Sequence, residues 1–365
     1  MKACYVHVPF CKDICAYCDF TRCRYHAGLA DKWVEAVCKE IADKLQGAQL
    51  ETLYIGGGTP TALSNKQLER VLAALKPYTK NIIEYTIEAN VESLDDDKIA
   101  LCKSYGINRV SLGVQTLQDD LLKVIHRSHS KADILDALSR LHHQGLDNIS
   151  IDLIYGLPGQ SMEMWQSDLK EITETFSITH ISLYALTIEE HSEFGRRKVE
   201  NIDASLEADM YEYAVKLLED RGFHHYEISN FALEGCESKH NLMYWKYEDF
   251  AGIGCGASGK QGAYRYDNTR NLQTYLEEGP SEERIYVSLE DQMFESLMMN
   301  LRTSYGVSLS HFKKVYGVDL LEHCKDEIEK NVKNGLLKVE GDCVHATYRG
   351  MMLLNDVLMD FLKDE

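Results

Sequence analysis

Cys11, Cys15 and Cys18 are the residues whose spacing most directly suggests chemistry. They fall at C-x3-C-x2-C in Tyr5-Val-His-Val-Pro-Phe-Cys11-Lys-Asp-Ile-Cys15-Ala-Tyr-Cys18-Asp-Phe20, just after an apolar, β-like run. Three thiolates on one compact loop can hold three irons of a cubane cluster, which leaves the fourth iron without a protein ligand. Electron-transfer clusters normally have all four cysteines, so the missing ligand points to a site open to a small molecule. Zinc in a structural site takes four protein ligands. Cys23 or His26 would supply a fourth donor, which keeps zinc as the alternative.

Other polar residues must be brought to that loop by the elements between them. Cys4 to Pro9 alternates and reads as a first strand. Further strands are expected at Leu53–Ile55, Glu84–Asn90, Arg109–Gln115, Asn148–Gly156 and His180–Thr187. Helices are expected at Ala30–Leu45, after a Ser64 cap, and at Asp95–Tyr105, Lys131–Gln144, Met162–Thr175 and Ala204–Arg221, where apolar residues recur at helical spacing. Six β-α units predict an α/β fold with a parallel sheet and outer helices. Periodicity leaves a doubly wound sheet and a barrel both open. Glu88, Gln115, Asp152 and the turn Gly56-Gly-Gly58-Thr59-Pro60 fall near C-terminal strand ends, the edge where parallel α/β folds bind ligands. The glycines let backbone approach a ligand closely. The turn lacks the Gly-Lys-Ser/Thr of a phosphate loop.

The polar break Glu277–Glu283 reads as a domain boundary. Three units are expected: 1–222, 223–280 and 281–365. In the last, Asp291–Arg302 carries Met293, Phe294, Leu297, Met298 and Leu301 on one helical face, read as core. Leu336–Glu340 and Cys343–Thr347 read as a hairpin, and Arg349–Leu362 as a final helix, which makes a small winged-helix-like module. Phe250–Gly259 reads as a tightly turned segment. The formal net charge of −19 argues against nucleic acid as a partner. The 11 cysteines are odd in number and do not look like a disulfide framework. Cys38, Cys102, Cys324 and Cys343 are expected as buried thiols. No signal precedes the first strand, and no apolar run approaches the roughly 20 residues that span a bilayer. A cytoplasmic location is expected, with peripheral membrane docking left open.

The cysteine motif, with Tyr17 before its third cysteine, resembles the radical S-adenosylmethionine (SAM) superfamily. The flanking Tyr5–Phe10 and Asp19-Phe20 are similar to its coproporphyrinogen dehydrogenase-like branch. The resemblance implies a partial (β/α)6 barrel and a 4Fe-4S cluster on Cys11, Cys15 and Cys18. SAM would chelate the unique iron, and one electron would cleave it to methionine and a 5′-deoxyadenosyl radical. The resemblance carries SAM contacts onto Tyr5, Tyr17, Gly57, Gly58, Thr59, Glu88, Gln115, Arg127 and Asp152. His126 stands where the pattern has a glycine. The electron would come from a donor such as flavodoxin or ferredoxin.

Ser238-Lys-His240-Asn241-Leu-Met-Tyr244-Trp245 resembles the H-N-x-x-Y-W signature of the haem chaperone branch, HemW. That implies haem binding, transfer to apo-haemoproteins such as respiratory-chain components, and a homodimer as one assembly state. The cluster and SAM would gate binding, dimerisation or release. An imidazole can ligate haem iron, so His240 is a candidate ligand, with Cys236, Cys255, His224 and His225 as nearby alternatives. Oxygen-independent coproporphyrinogen dehydrogenases carry an extra cysteine where this chain has Phe20. They also carry a long N-terminal arm where this chain begins just before its first strand. Both departures put oxidative decarboxylation of coproporphyrinogen III second.

Overall fold

A computed structural model describes residues 1–362 of the chain. All six expected strands form: β1 Ala3–Val8, β2 Thr52–Gly57, β3 Glu84–Asn90, β4 Arg109–Gln115, β5 Ile149–Tyr155 and β6 His180–Ala185. Each lies parallel beside the next. The connecting helices are α1 Ala27–Lys44, α2 Asn65–Leu75, α3 Asp96–Ser104, α4 Lys131–His143 and α5 Met162–Thr175, with α6 Ala204–Asp220 after β6. Their starts follow from local chemistry. Ser64 accepts from the Gln67 amide and Gln67 returns a bond to the Ser64 amide, a reciprocal cap. Asp95 caps α3 through the Lys98 amide at 2.8 Å.

Side chains alternate across these strands, and the two faces differ in kind. Outward-facing Ile55, Ile87, Leu112, Ile151 and Ile181 are fully buried or nearly so in the main core with the helices. Each such burial is worth about 1.5–3 kcal/mol. The inner face carries Tyr5 and His7, Tyr54, Glu84 and Glu88, Arg109 and Ser111, Ser150 and Asp152, His180 and Ser182. Strands buried on both faces usually read as continuous apolar runs. These alternate because the interior of the partial barrel is polar.

The sheet extends beyond the six strands. At one edge β7 (His224–Glu227) pairs antiparallel with β8 (Asn230–Ala232), which adds antiparallel to β6. A short helix, α7 (Lys239–Trp245), then leads to β9 (Phe250–Ile253), which pairs parallel with β1 on its free side. The tight turning expected at 250–259 is present, with a strand before it: β9 is followed by a tight return into β10 (Ser258–Gln261). Gly252 permits that return, because a Cβ there would lie 1.9 Å from the Ser258 carbonyl oxygen. β11 (Tyr264–Asp267) and β12 (Glu283–Tyr286) complete a twelve-stranded sheet.

The chain just beyond the boundary expected at 281 still pairs with the large sheet. Glu283–Tyr286 pairs with Tyr264–Asp267, and the Tyr264 and Tyr286 rings pack at 5.5 Å. A second core begins with α8 (Leu289–Asn300) and gathers Leu297, Leu301, Phe312, Leu320, Val344 and Val357. It includes the expected hairpin, Leu337–Glu340 against Cys343–Ala346. The expected final helix is two short ones, Tyr348–Met352 and Leu354–Met359, broken where Leu353 leaves helical angles. Among the described residues none of the 11 cysteines is in a disulfide; Cys102 and Cys324 are buried, Cys38 and Cys343 only partly. Among the described residues no helix is long and apolar enough to cross a membrane.

Candidate functional site

Cys11, Cys15 and Cys18 share one loop held from three sides. Phe10–Cys11 pairs with Cys23–Arg24. Buried Ala16 bonds through its amide to the Ile125 carbonyl and through its carbonyl to the Phe194 amide. Gly58 packs so closely that a Cβ would sit 3.0 Å from the Cys11 sulfur. Thr59 Oγ1 donates to that sulfur at 3.6 Å. Burial pushes the Cys11 thiol up to about 12, so its thiolate forms only with a bound cationic centre, which deprotonates a coordinating thiol outright. Among the described residues no three His, Cys, Asp or Glu side chains converge as the ligands of one ion must. A cubane takes its three thiolates on three different irons, and a shared loop suits that arrangement.

The barrel's inner face brings most of the other expected residues toward this loop. Glu88 accepts from the Gly57 amide at 3.0 Å and from Tyr54 Oη at 2.8 Å. Gly57 needs its glycine: its φ is +113°, and a Cβ would meet the His7 ring at 2.7 Å. Tyr5 Oη is bonded to His7 Nδ1 at 3.0 Å, and His7 Nε2 to the Thr21 carbonyl beside the cysteine loop at 2.7 Å. Asp152 accepts from Ser111 Oγ at 3.1 Å. Burial raises Glu88 to about 7 and raises Asp152 too, and the Asp152 carboxylate further discourages ionisation at Glu88. Asp152 and Glu88 lie within their strands rather than at the ends. Inward alternation, not strand termination, groups them. Gln115 does end β4, at φ +70°, where the ladder with β5 slips register.

Arg127 is the least satisfied group of the set. Its Nη2 donates to Tyr17 Oη at 3.4 Å, and its Nη1 stands 3.9 Å from Glu92. Its Nε and Nη1 are buried without a hydrogen-bond partner. A buried donor left unpaired costs about 1–3 kcal/mol, more for a charged group, so the site is built to receive an acceptor. His126 holds φ +59°, the left-handed conformation that glycine enters freely.

His240 sits apart, at the other end of β2 and β3. It is fully buried. Nδ1 is bonded to Thr52 Oγ1 at 3.0 Å and Nε2 to Tyr244 Oη at 2.7 Å. The ring stacks on Tyr54 at 5.3 Å. The α7 start is capped by buried Glu84, which accepts from the Lys239 and His240 amides at 2.8 Å. Burial pushes His240 down to about 3, so it is neutral. Both ring nitrogens are hydrogen-bonded to hydroxyls, so iron ligation by His240, the expectation from the sequence, would require one of these bonds to be given up.

His240, Asn241, Tyr244 and Trp245 nonetheless wall a cavity of about 920 Å³. Tyr5, His7, Tyr54 and Glu88 form its barrel side, and Met298, Met299 and Arg302 close it from the C-terminal core. None of Cys236, Cys255, His224 and His225 is among the described residues lining it.

Comparison with known proteins gives this geometry its context. The pattern of the radical SAM superfamily matches residues 5–172, and that of the HemN C-terminal domain matches residues 287–353. The heme chaperone HemW of Lactococcus lactis subsp. lactis is 38% identical over 99% of this chain and 97% of its own length. That of Bacillus subtilis is 35% identical over 99% of both chains. The chain belongs to the HemW family of radical SAM proteins. A solved structure of coproporphyrinogen III oxidase (HemN) from Escherichia coli superimposes with a TM-score of 0.86, covering 98% of this chain and 89% of that one. At 22% identity it establishes the shared fold.

As a radical SAM protein of the HemW family, the chain takes a 4Fe-4S cluster and SAM. The residues present fit them: three thiols on a braced loop, a glycine cradle, and a buried arginine with unspent donors. Sequence reasoning missed Tyr54, His7, Met299 and Arg302. Tyr54 stands two residues before Gly56, so strand alternation would have placed it on the same face. Arg302 and Met299 gave no signal beyond their helix.

Proposed function

We propose that this chain is a haem chaperone, binding haem in the cavity between barrel and C-terminal core and passing it to apo-haemoproteins. The observation that carries the reading is that one cavity joins the H-N-x-x-Y-W segment to the SAM-side residues Tyr5 and Glu88. At about 920 Å³ it is at the upper end of the roughly 300–1,000 Å³ of small-molecule sites, with room for a tetrapyrrole. Its aromatic walls suit a porphyrin face.

In this reading Cys11, Cys15 and Cys18 hold the cluster, and Tyr5, Tyr17, Gly57, Gly58, Thr59, Glu88, Gln115, Arg127 and Asp152 surround SAM. Bound together, cluster and SAM supply one-electron chemistry. Arg127 pairs with the carboxylate of SAM, as a guanidinium does best. Glu88, ionised on binding, accepts from its polar hydrogens. Tyr54 transmits the state of Glu88 to His240 by stacking, so filling the SAM site biases α7 and the cavity wall. An electron donor such as flavodoxin or ferredoxin docks beside Phe20, which is 68% exposed next to the cysteine loop. Residues 1–222 form the cofactor unit, 223–286 the cavity wall, and the remainder the closing unit. Homodimer formation and docking at a membrane surface through recipients complete the cycle.

The test is haem transfer. Cluster-loaded protein is charged with haem and mixed with an apo-cytochrome, with and without SAM, and the recipient's spectrum is followed. Transfer that depends on SAM supports the reading. Formation of protoporphyrinogen from coproporphyrinogen, with no haem transfer, overturns it.

A further inference from the structure

The cavity contains few donors free to meet an iron. Its two histidines, His7 and His240, have both ring nitrogens hydrogen-bonded. The phenols lining the cavity, Tyr5, Tyr54, Tyr184, Tyr244, Tyr247 and Tyr266, are all held above their ordinary range, chiefly by desolvation, which keeps them neutral and poor ligands. The remaining soft donors are Met298 and Met299, the two of α8's three methionines that line the cavity. Among the described residues packed on the C-terminal core, Met298 is one and Met299 is not. Met299 lines the cavity, and its thioether is not spent on core packing. Three residues on, just past the helix end, Arg302 lines the cavity too. Its Nη1 donates to the Met298 carbonyl at 2.8 Å. The cavity's other cations are committed: Arg265 to Glu295 at 3.2 Å and Lys260 to Asp249 at 3.0 Å. Arg302 faces Glu227, which burial raises to about 7 and so leaves only partly charged.

We propose that the Met299 sulfur is the protein ligand to haem iron in this cavity, with Arg302 receiving a haem propionate. The proposal rests on the haem-chaperone reading and names the ligand within it. The bond that forms is donation of a sulfur lone pair to iron; nothing is oxidised and no proton moves. Methionine is an established axial ligand of haem. A neutral thioether holds iron less firmly than an imidazole, which suits a carrier that must yield haem to a recipient's own donor. One helix end would thus supply a soft ligand and a cation about one turn apart, the arrangement an iron with peripheral carboxylates requires.

The test is a haem titration of the cluster-loaded full chain, read by optical and magnetic circular dichroism spectra. Wild type is expected to show a sulfur-to-ferric-iron charge-transfer band. Met299→Leu is expected to lose the band and weaken binding about ten- to hundredfold, while Met298→Leu keeps both. Arg302→Gln weakens binding about tenfold with the ligand field unchanged. Met299→His, a refilled ligand position, restores tight binding with a nitrogen-ligated spectrum, which separates a lost ligand from a damaged fold. A Met299→Leu spectrum and affinity equal to wild type would overturn the proposal and leave the chaperone reading standing. Absence of haem binding by wild type would remove the reading itself.

Discussion

The cofactor end of the barrel and the H-N-x-x-Y-W helix carry the two sequence signatures of this chain, and they are built in opposite ways. Around Arg127 hydrogen-bonding capacity is left over: Nε and Nη1 are buried and unpaired. Around His240 nothing is left over. Both ring nitrogens are bonded, the helix start is capped by Glu84, and the ring stacks on Tyr54. Unspent capacity in a buried site is paid for only if something binds there. Filled capacity fixes architecture. The first region reads as a place for a ligand and the second as the strut that shapes the wall of one.

The largest effect should come from Cys11→Ala. It is expected to abolish the iron content of reconstituted protein and its SAM affinity, with the apo fold intact by circular dichroism. Retained SAM binding would detach the glycine cradle from the cysteines. Next come two substitutions with opposite signatures. His240→Ala is expected to cost about 2–4 kcal/mol of stability, from the cavity and the orphaned Thr52 and Tyr244 groups, in a denaturant melt. Arg127→Leu is expected to cost SAM about ten- to hundredfold in affinity by calorimetry, the scale of a lost charged hydrogen bond, and little stability. Swapped signatures would break the contrast.

Titration sharpens it further. Glu88, raised to about 7 by burial, keeps in the native state a proton that the unfolded chain releases above its ordinary 4.5. Its contribution to apo stability therefore falls as pH rises from 4.5 through 7, while SAM affinity rises over the same limb; Glu88→Gln should flatten both. His240, lowered to about 3, stays neutral where the unfolded chain protonates below 6.5. Its contribution is lost as pH falls from 6.5 toward 3, and His240→Gln should remove that part of the acid slope. The smallest effect belongs to His126→Gly. Relief of the left-handed backbone should stabilise the chain by about 1 kcal/mol, net of the added freedom of the unfolded state.

Much of the barrel was legible because its signals are local. Val6 and Val8 alternate with Tyr5 and His7, Ser64 precedes Gln67 by one turn, and glycines mark the strand ends. The cysteine loop was legible for the same reason. The role of His240 was not, because its partners are remote: Thr52 is 188 residues away and Glu84 is 156. Residue type tells that an imidazole is present and not that both its ring nitrogens are hydrogen-bonded. β9 escaped notice because Phe250–Ile253 is short and holds a glycine, and its partner β1 lies at the other end of the barrel. Met298 packs on the C-terminal core as expected and also lines the cavity, whereas Met299 lines the cavity without packing there, and no periodicity distinguishes the two.

The most direct measurement is a haem titration of anaerobically reconstituted His240→Ala beside wild type, followed by optical spectra. Equal stoichiometry and an unchanged ligand field, with only a lower melting temperature, is the predicted result. A folded variant that binds haem with a changed ligand field, or not at all where wild type does, would contradict it and make His240 the ligand.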